Sequence, residues 1–83
     1  MATWRSMISK EMASEGETFA DVISIAPPDL DLDREFDAGF GTSEGKPFTI
    51  WTASRVYFPT EYDGAEGVRS VPRNPNGEVT PHV

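Results

Sequence analysis

The apolar positions of the chain first follow a helical period. Trp4, Ile8 and Met12 recur at i, i+4 and i+8, with Met7 beside them, and Arg5, Lys10 and Glu11 are left to face water. This spacing predicts an amphipathic helix over residues 3–14, with Thr3 as N-cap and Gly16 as the residue that stops it. The pattern then turns short and β-branched. V-I-S-I predicts a strand over residues 21–25, and Pro27-Pro28 ends it because proline has no N–H for a ladder. F-T-I-W-T and R-V-Y-F, separated by Ala53 and Ser54, predict an antiparallel hairpin over residues 48–52 and 55–59. Phe48, Ile50, Val56 and Phe58 are expected inward, with Trp51 and Tyr57 on the other face. Tyr62-Asp63-Gly64 reads as a turn, residues 66–71 as a further strand, and the chain from Pro72 on as an irregular tail with a turn at Asn76-Gly77.

Residues 29–37, D-L-D-L-D-R-E-F-D, fit two periods. The alternation would suit a strand with Leu30 and Leu32 inward. A helix start is favoured by Pro27-Pro28, by Asp29 as a cap and by acids in a first turn; Leu32 and Phe36 then share one face. The expectation is a short acidic helix over residues 29–36. The expected fold is therefore α+β in a single domain: an N-terminal helix, a short acidic helix and a small three-to-four-stranded antiparallel sheet.

Charge sharpens this picture. The formal net charge is −7, and ten of the fourteen acids but only three of the seven bases lie up to Glu44, so the excess sits entirely in that half. A field of that sign disfavours nucleic acid or an anionic membrane as direct partner and favours a basic protein surface. With no cysteine there is neither a disulfide framework nor a thiolate metal site, and the core must come from two tryptophans, two tyrosines and five phenylalanines. No signal-peptide pattern and no run of apolar residues long enough for a membrane span is present, so a soluble intracellular protein is expected.

No constellation points to catalysis. Asp29, Asp31 and Asp33 match the first odd positions of an EF-hand loop, but its glycine is replaced by Arg34 and its last ligand by Phe40. Paired carboxylates on a solvated face lack the enclosed cleft that an acid–base pair needs. The single histidine, His82, lies next to the C-terminus, and no serine or cysteine stands in a nucleophile motif. The glycines of residues 39–47 match neither a P-loop nor a dinucleotide fingerprint and read as an ordinary loop. Trp51, Tyr57 and Tyr62 with Arg55 and Arg69 resemble a base-stacking platform, but sheet core is the plainer use of them, and the acidic half would repel phosphates. No enzyme activity, cofactor or metal is expected. What remains is the acidic stretch, either a solvated face or a surface whose carboxylates stand in for successive phosphates, since strand spacing of about 6.6–6.8 Å and helical i, i+4 spacing of about 6 Å both allow it.

The run E-F-D-A-G-F-G-T-S-E-G-K-P-F-T-I-W-T-A-S-R-V-Y-F-P, followed by Y-D-G-A-E-G-V and S-V-P-R-N-P, resembles a group of short acidic proteins of phages and prophages, over roughly half the chain. The opening T-W-R-S-M-I is similar to theirs as well. Such proteins include anti-CRISPRs, several of which occupy the nucleic-acid groove of a type I surveillance complex. The resemblance implies an inhibitor of this kind, acting in the cytoplasm of a bacterial host cell on a basic nucleic-acid-binding protein of the Cascade type and blocking target DNA binding. The expected binding residues are Asp29, Asp31, Asp33, Glu35 and Asp37, supported by Glu15, Glu17 and Asp21, on a monomer. The alternative is a phage accessory protein that binds a host or virion protein through the aromatic face of the hairpin.

Overall fold

A computed structural model describes residues 2–37, 39, 45–62 and 64–82. The expected helix forms as α1, Trp4–Ser14. Thr3 caps it in extended geometry, its hydroxyl accepting the Ser6 N–H at 3.2 Å, and Gly16 follows the last turn with φ of +75°. Only glycine takes that left-handed conformation without steric cost. A 3-10 turn at Phe19–Asp21 carries a capping box. The Thr18 hydroxyl accepts from Ala20, and the Asp21 carboxylate accepts from the Thr18 N–H at 2.8 Å.

Four strands follow: β1 Val22–Ala26, β2 Thr49–Thr52, β3 Arg55–Tyr62 and β4 Ala65–Pro72. They form one antiparallel sheet in sequence order. A register shift between Val22 and Ser24 turns Ile23 out to 62% exposure, as a bulge does. β3 runs on through Pro59, beyond its pairing with β2, where a missing N–H breaks no ladder bond on that side. The fold is α+β, with α1 lying over one face of the sheet.

Two expectations are corrected. The stretch 29–36 is not a helix but two turns and extended chain. In a helix the Leu32 carbonyl would accept from the Phe36 N–H. Here Leu32 accepts instead from the Arg5 N–H at 2.9 Å, and the Phe36 N–H goes to the Ala2 carbonyl at 2.9 Å, while the Ala2 N–H returns to the Phe36 carbonyl at 2.8 Å. Both partners of the helical bond are taken by residues at the start of α1, and Asp31 Oδ1 accepts the Asp33 N–H at 3.0 Å, a local competitor of helix. The second correction is the face of β3. Ile50 pairs with Tyr57 and Trp51 with Val56, so Tyr57 points to the core and Val56 and Phe58 to the other side. A two-residue connection at Ala53-Ser54 sets this register, and a shift of one residue exchanges the faces.

The core consists of Trp4, Ile8 and Met12 from α1, Ile50, Tyr57 and Val68 from the sheet, and Phe36 and Phe48 from the flanking segments. Trp4 packs against Phe36 and Phe48 with ring centroids 4.9 Å apart in each pair, and its indole N–H donates to the Lys46 carbonyl at 2.9 Å. Ile8, Met12, Phe36 and Ile50, which are fully buried, each contribute about 1.5–3 kcal/mol by leaving water. The tail from Arg73 is irregular as expected, yet it is tied to the sheet. The Arg73 N–H donates to the Ser54 carbonyl at 2.9 Å, and its guanidinium donates to the Thr52 carbonyl at 3.1 Å. Most of the 39–47 loop, and Asp63 of the turn after β3, lie outside the described residues.

Candidate functional site

The acidic segment crosses the N-terminal end of α1 as an extended loop. Leu30 and Leu32 pack half-buried against the core and Phe36 is fully buried, so the alternation of apolar and acidic residues turns every carboxylate outward. Asp29, Asp31, Asp33, Glu35 and Asp37 are all exposed. Their roles differ. Asp33 forms a bidentate pair with Arg5, at 2.7 Å to Nε and 3.1 Å to Nη2, and the Arg5 guanidinium holds its carboxyl below the usual value. Arg5 in turn lies 5.5 Å from the Phe19 ring centroid, so the cation that fixes the loop also sits over an aromatic face. Asp31 and Asp37 accept the backbone N–H of Asp33 and Gly39, at 3.0 Å and 2.9 Å. Among the described residues Asp29 and Glu35 enter no ion pair.

The three supporting acids lie elsewhere. Asp21 closes its capping box at the 3-10 turn. Glu15 and Glu17 stand just beyond the C-terminal end of α1, about 16 Å along its axis from the end that the acidic loop crosses. Both turn toward the sheet. Glu15 pairs with Arg55 at 3.3 Å. Glu17 accepts from three hydroxyls: Tyr57 at 2.6 Å, Thr52 at 3.1 Å and Ser54 at 2.9 Å. Burial works to raise the Glu17 carboxyl, but these hydroxyls and the Arg55 charge outweigh it and hold the group below its usual value. Burial, and then the facing Glu17 carboxylate, push the Tyr57 phenol up.

This network escaped the sequence reading, and Arg55 is its centre. The residue is 8% exposed. Its Nε donates to Ser70 Oγ at 2.8 Å, Nη2 to the Ser70 carbonyl at 3.1 Å, and the two Nη atoms clasp the Glu78 carboxylate of the tail at 3.1 and 3.0 Å. Ser70 Oγ passes the chain of bonds to Glu11 of α1 at 3.3 Å. Helix, sheet and tail thus meet on one planar cation whose five donors suit such a crossing. Among the described residues no buried side-chain polar atom lacks a hydrogen-bond partner. The signal in the sequence was the two-residue hairpin connection, which places Arg55 and Tyr57 on the helix-facing side.

Four of the eight candidate acids, Glu15, Glu17, Asp21 and Asp33, therefore make contacts that hold the fold together. Among the described residues no three Asp, Glu or His side chains come together in a way that would hold a metal ion. Among the same residues no helix is long and apolar enough to cross a membrane. On the opposite side of the sheet Trp51, Val56, Phe58 and Val71 form a half-buried apolar face turned away from α1. Comparison with protein-family models, curated proteins and solved structures gave no match.

Proposed function

We propose that the protein is a stoichiometric inhibitor that binds a basic, nucleic-acid-binding partner through its acidic loop, in the manner of an anti-CRISPR occupying the DNA channel of a type I surveillance complex. The observation that supports this is the placement of the carboxylates: Glu15 and Glu17 turn toward the sheet, whereas Asp29, Asp31, Glu35 and Asp37 stand exposed along one segment pinned by Phe36 and Leu32. A row of acids held on an anchored backbone presents charge at low entropic cost, and a groove built for phosphates accepts it. The test is capture of a purified type I surveillance complex at low and high salt. Binding that falls steeply with ionic strength supports the reading.

A second reading takes the opposite sheet face as the binding surface. It is favoured by the row Trp51, Val56, Phe58 and Val71, apolar side chains on the side away from α1. Apolar contact is nearly insensitive to salt. Capture that persists in high salt and is lost in Phe58→Lys selects this reading instead.

A further inference from the structure

The acidic loop and the N-terminal end of α1 enclose a cavity of about 290 Å³. It is lined by the apolar side chains of Trp4, Pro27, Leu30 and Phe36 and by the exposed residues Asp29 and Asp31. The volume falls just short of the range for ligand pockets, about 300–1,000 Å³, and suits a single side chain better than a cofactor. Arg34 and Lys46 also border it, and Arg34 lies 5.8 Å from the Phe36 ring centroid. Those two cations disfavour an arginine or lysine head inside. Outside the cavity the sign reverses, because Glu35 and Asp37 continue the acidic row past the rim.

We infer that this cavity is the socket for one apolar side chain of the partner, carried on a basic segment whose lysines and arginines lie along Asp29, Asp31 and Glu35. The inference rests on the acidic loop being the binding surface and adds the source of its specificity. A field of carboxylates attracts many basic segments, while a buried anchor selects among them and lengthens the complex's life. The indole N–H of Trp4, bonded to the Lys46 carbonyl at the same cavity, is a built-in reporter.

The test uses the full chain and two acetylated heptapeptides of equal charge, one with leucine and one with alanine between two Lys-Arg-Lys triplets. Titration at low salt, followed by NMR, reads the affinity and the Trp4 indole resonance. The leucine peptide is expected to bind at least about tenfold more tightly, as burial of a leucine side chain allows, and to shift the Trp4 indole. The preference is expected to vanish in Leu30→Asn, whose melting curve checks the fold. Equal affinity of the two peptides for the wild-type protein overturns the socket and leaves the acidic surface standing. Failure of both peptides to bind at low salt overturns the acidic surface and the socket together.

Discussion

The Tyr57 hydroxyl donates a 2.6 Å hydrogen bond to the Glu17 carboxylate across forty positions of chain. It joins the segment just beyond α1 to the middle of the sheet, and it carries a charge on one side. Removing it in Tyr57→Phe is expected to cost about 1–2 kcal/mol, at the low end for a bond to a charged group because Thr52 and Ser54 still donate to Glu17. Urea denaturation measures it as a lower midpoint at unchanged slope.

Acid is expected to weaken the fold through the same carboxylate. The Glu17 carboxyl is held below its ordinary value of 4.5, and Asp33 and Glu78 are held low by Arg5 and Arg55. A depressed carboxylate contributes stability that is present above the unfolded value and lost as the pH falls through the folded one. The urea midpoint should therefore fall as the pH drops from about 6 to about 3, and fall less in Glu17→Gln. Equal pH dependence in the two proteins would remove Glu17 from the cause.

Arg55 is expected to tolerate conservative change poorly. Arg55→Lys keeps the charge but loses the fork that reaches Ser70 and Glu78 at once. Breaking a buried pair costs about 3–5 kcal/mol, and here the loss is expected nearer 2 kcal/mol because water screens the partners. The Glu15 and Glu78 side chains are 32% and 38% exposed. Thermal melting gives the loss, and amide exchange should rise first at Gly77 and Glu78, where the tail is released.

Gly45 is expected to resist any side chain. A Cβ there would fall on the Trp4 ring and the Glu66 carboxylate, which accepts the Gly45 N–H at 2.9 Å. Gly45→Ala should cost about 1–3 kcal/mol as overpacking, read by urea denaturation. Gly77→Ala gives a comparison of another kind: open space surrounds its Cβ position and only the φ of +85° opposes the change.

How legible these features were follows from the range of the interactions that make them. The α1 stripe of Trp4, Ile8 and Met12 and its Thr3 cap depend on neighbours within a turn or two, and they stand in the protein as the spacing predicts. The acidic segment has one local determinant, the Asp31 carboxylate on the Asp33 N–H, and the rest are distant. Its carbonyl at Leu32 and N–H at Phe36 are claimed by Arg5 and Ala2, about thirty positions away, and no period of the sequence announces that. The roles of Glu15 and Glu17 were hidden for the same reason, since their partners Arg55 and Tyr57 lie on the sheet. One miss was avoidable. Two residues between β2 and β3 already set Ile50 against Tyr57, and that register decides which aromatic enters the core.

Competition with target DNA for a purified type I surveillance complex tests whether the acidic loop is the binding surface. The informative variant combines Asp29→Lys, Asp31→Lys and Glu35→Lys. Asp33 is left in place, because its reversal would also break the pair with Arg5 that fixes the loop. The wild-type protein is expected to displace DNA with a potency that falls steeply as salt rises, and the triple variant, with an unchanged melting curve, is expected to displace none. Displacement by the triple variant equal to that of the wild type would mean that the acidic loop is not the binding surface.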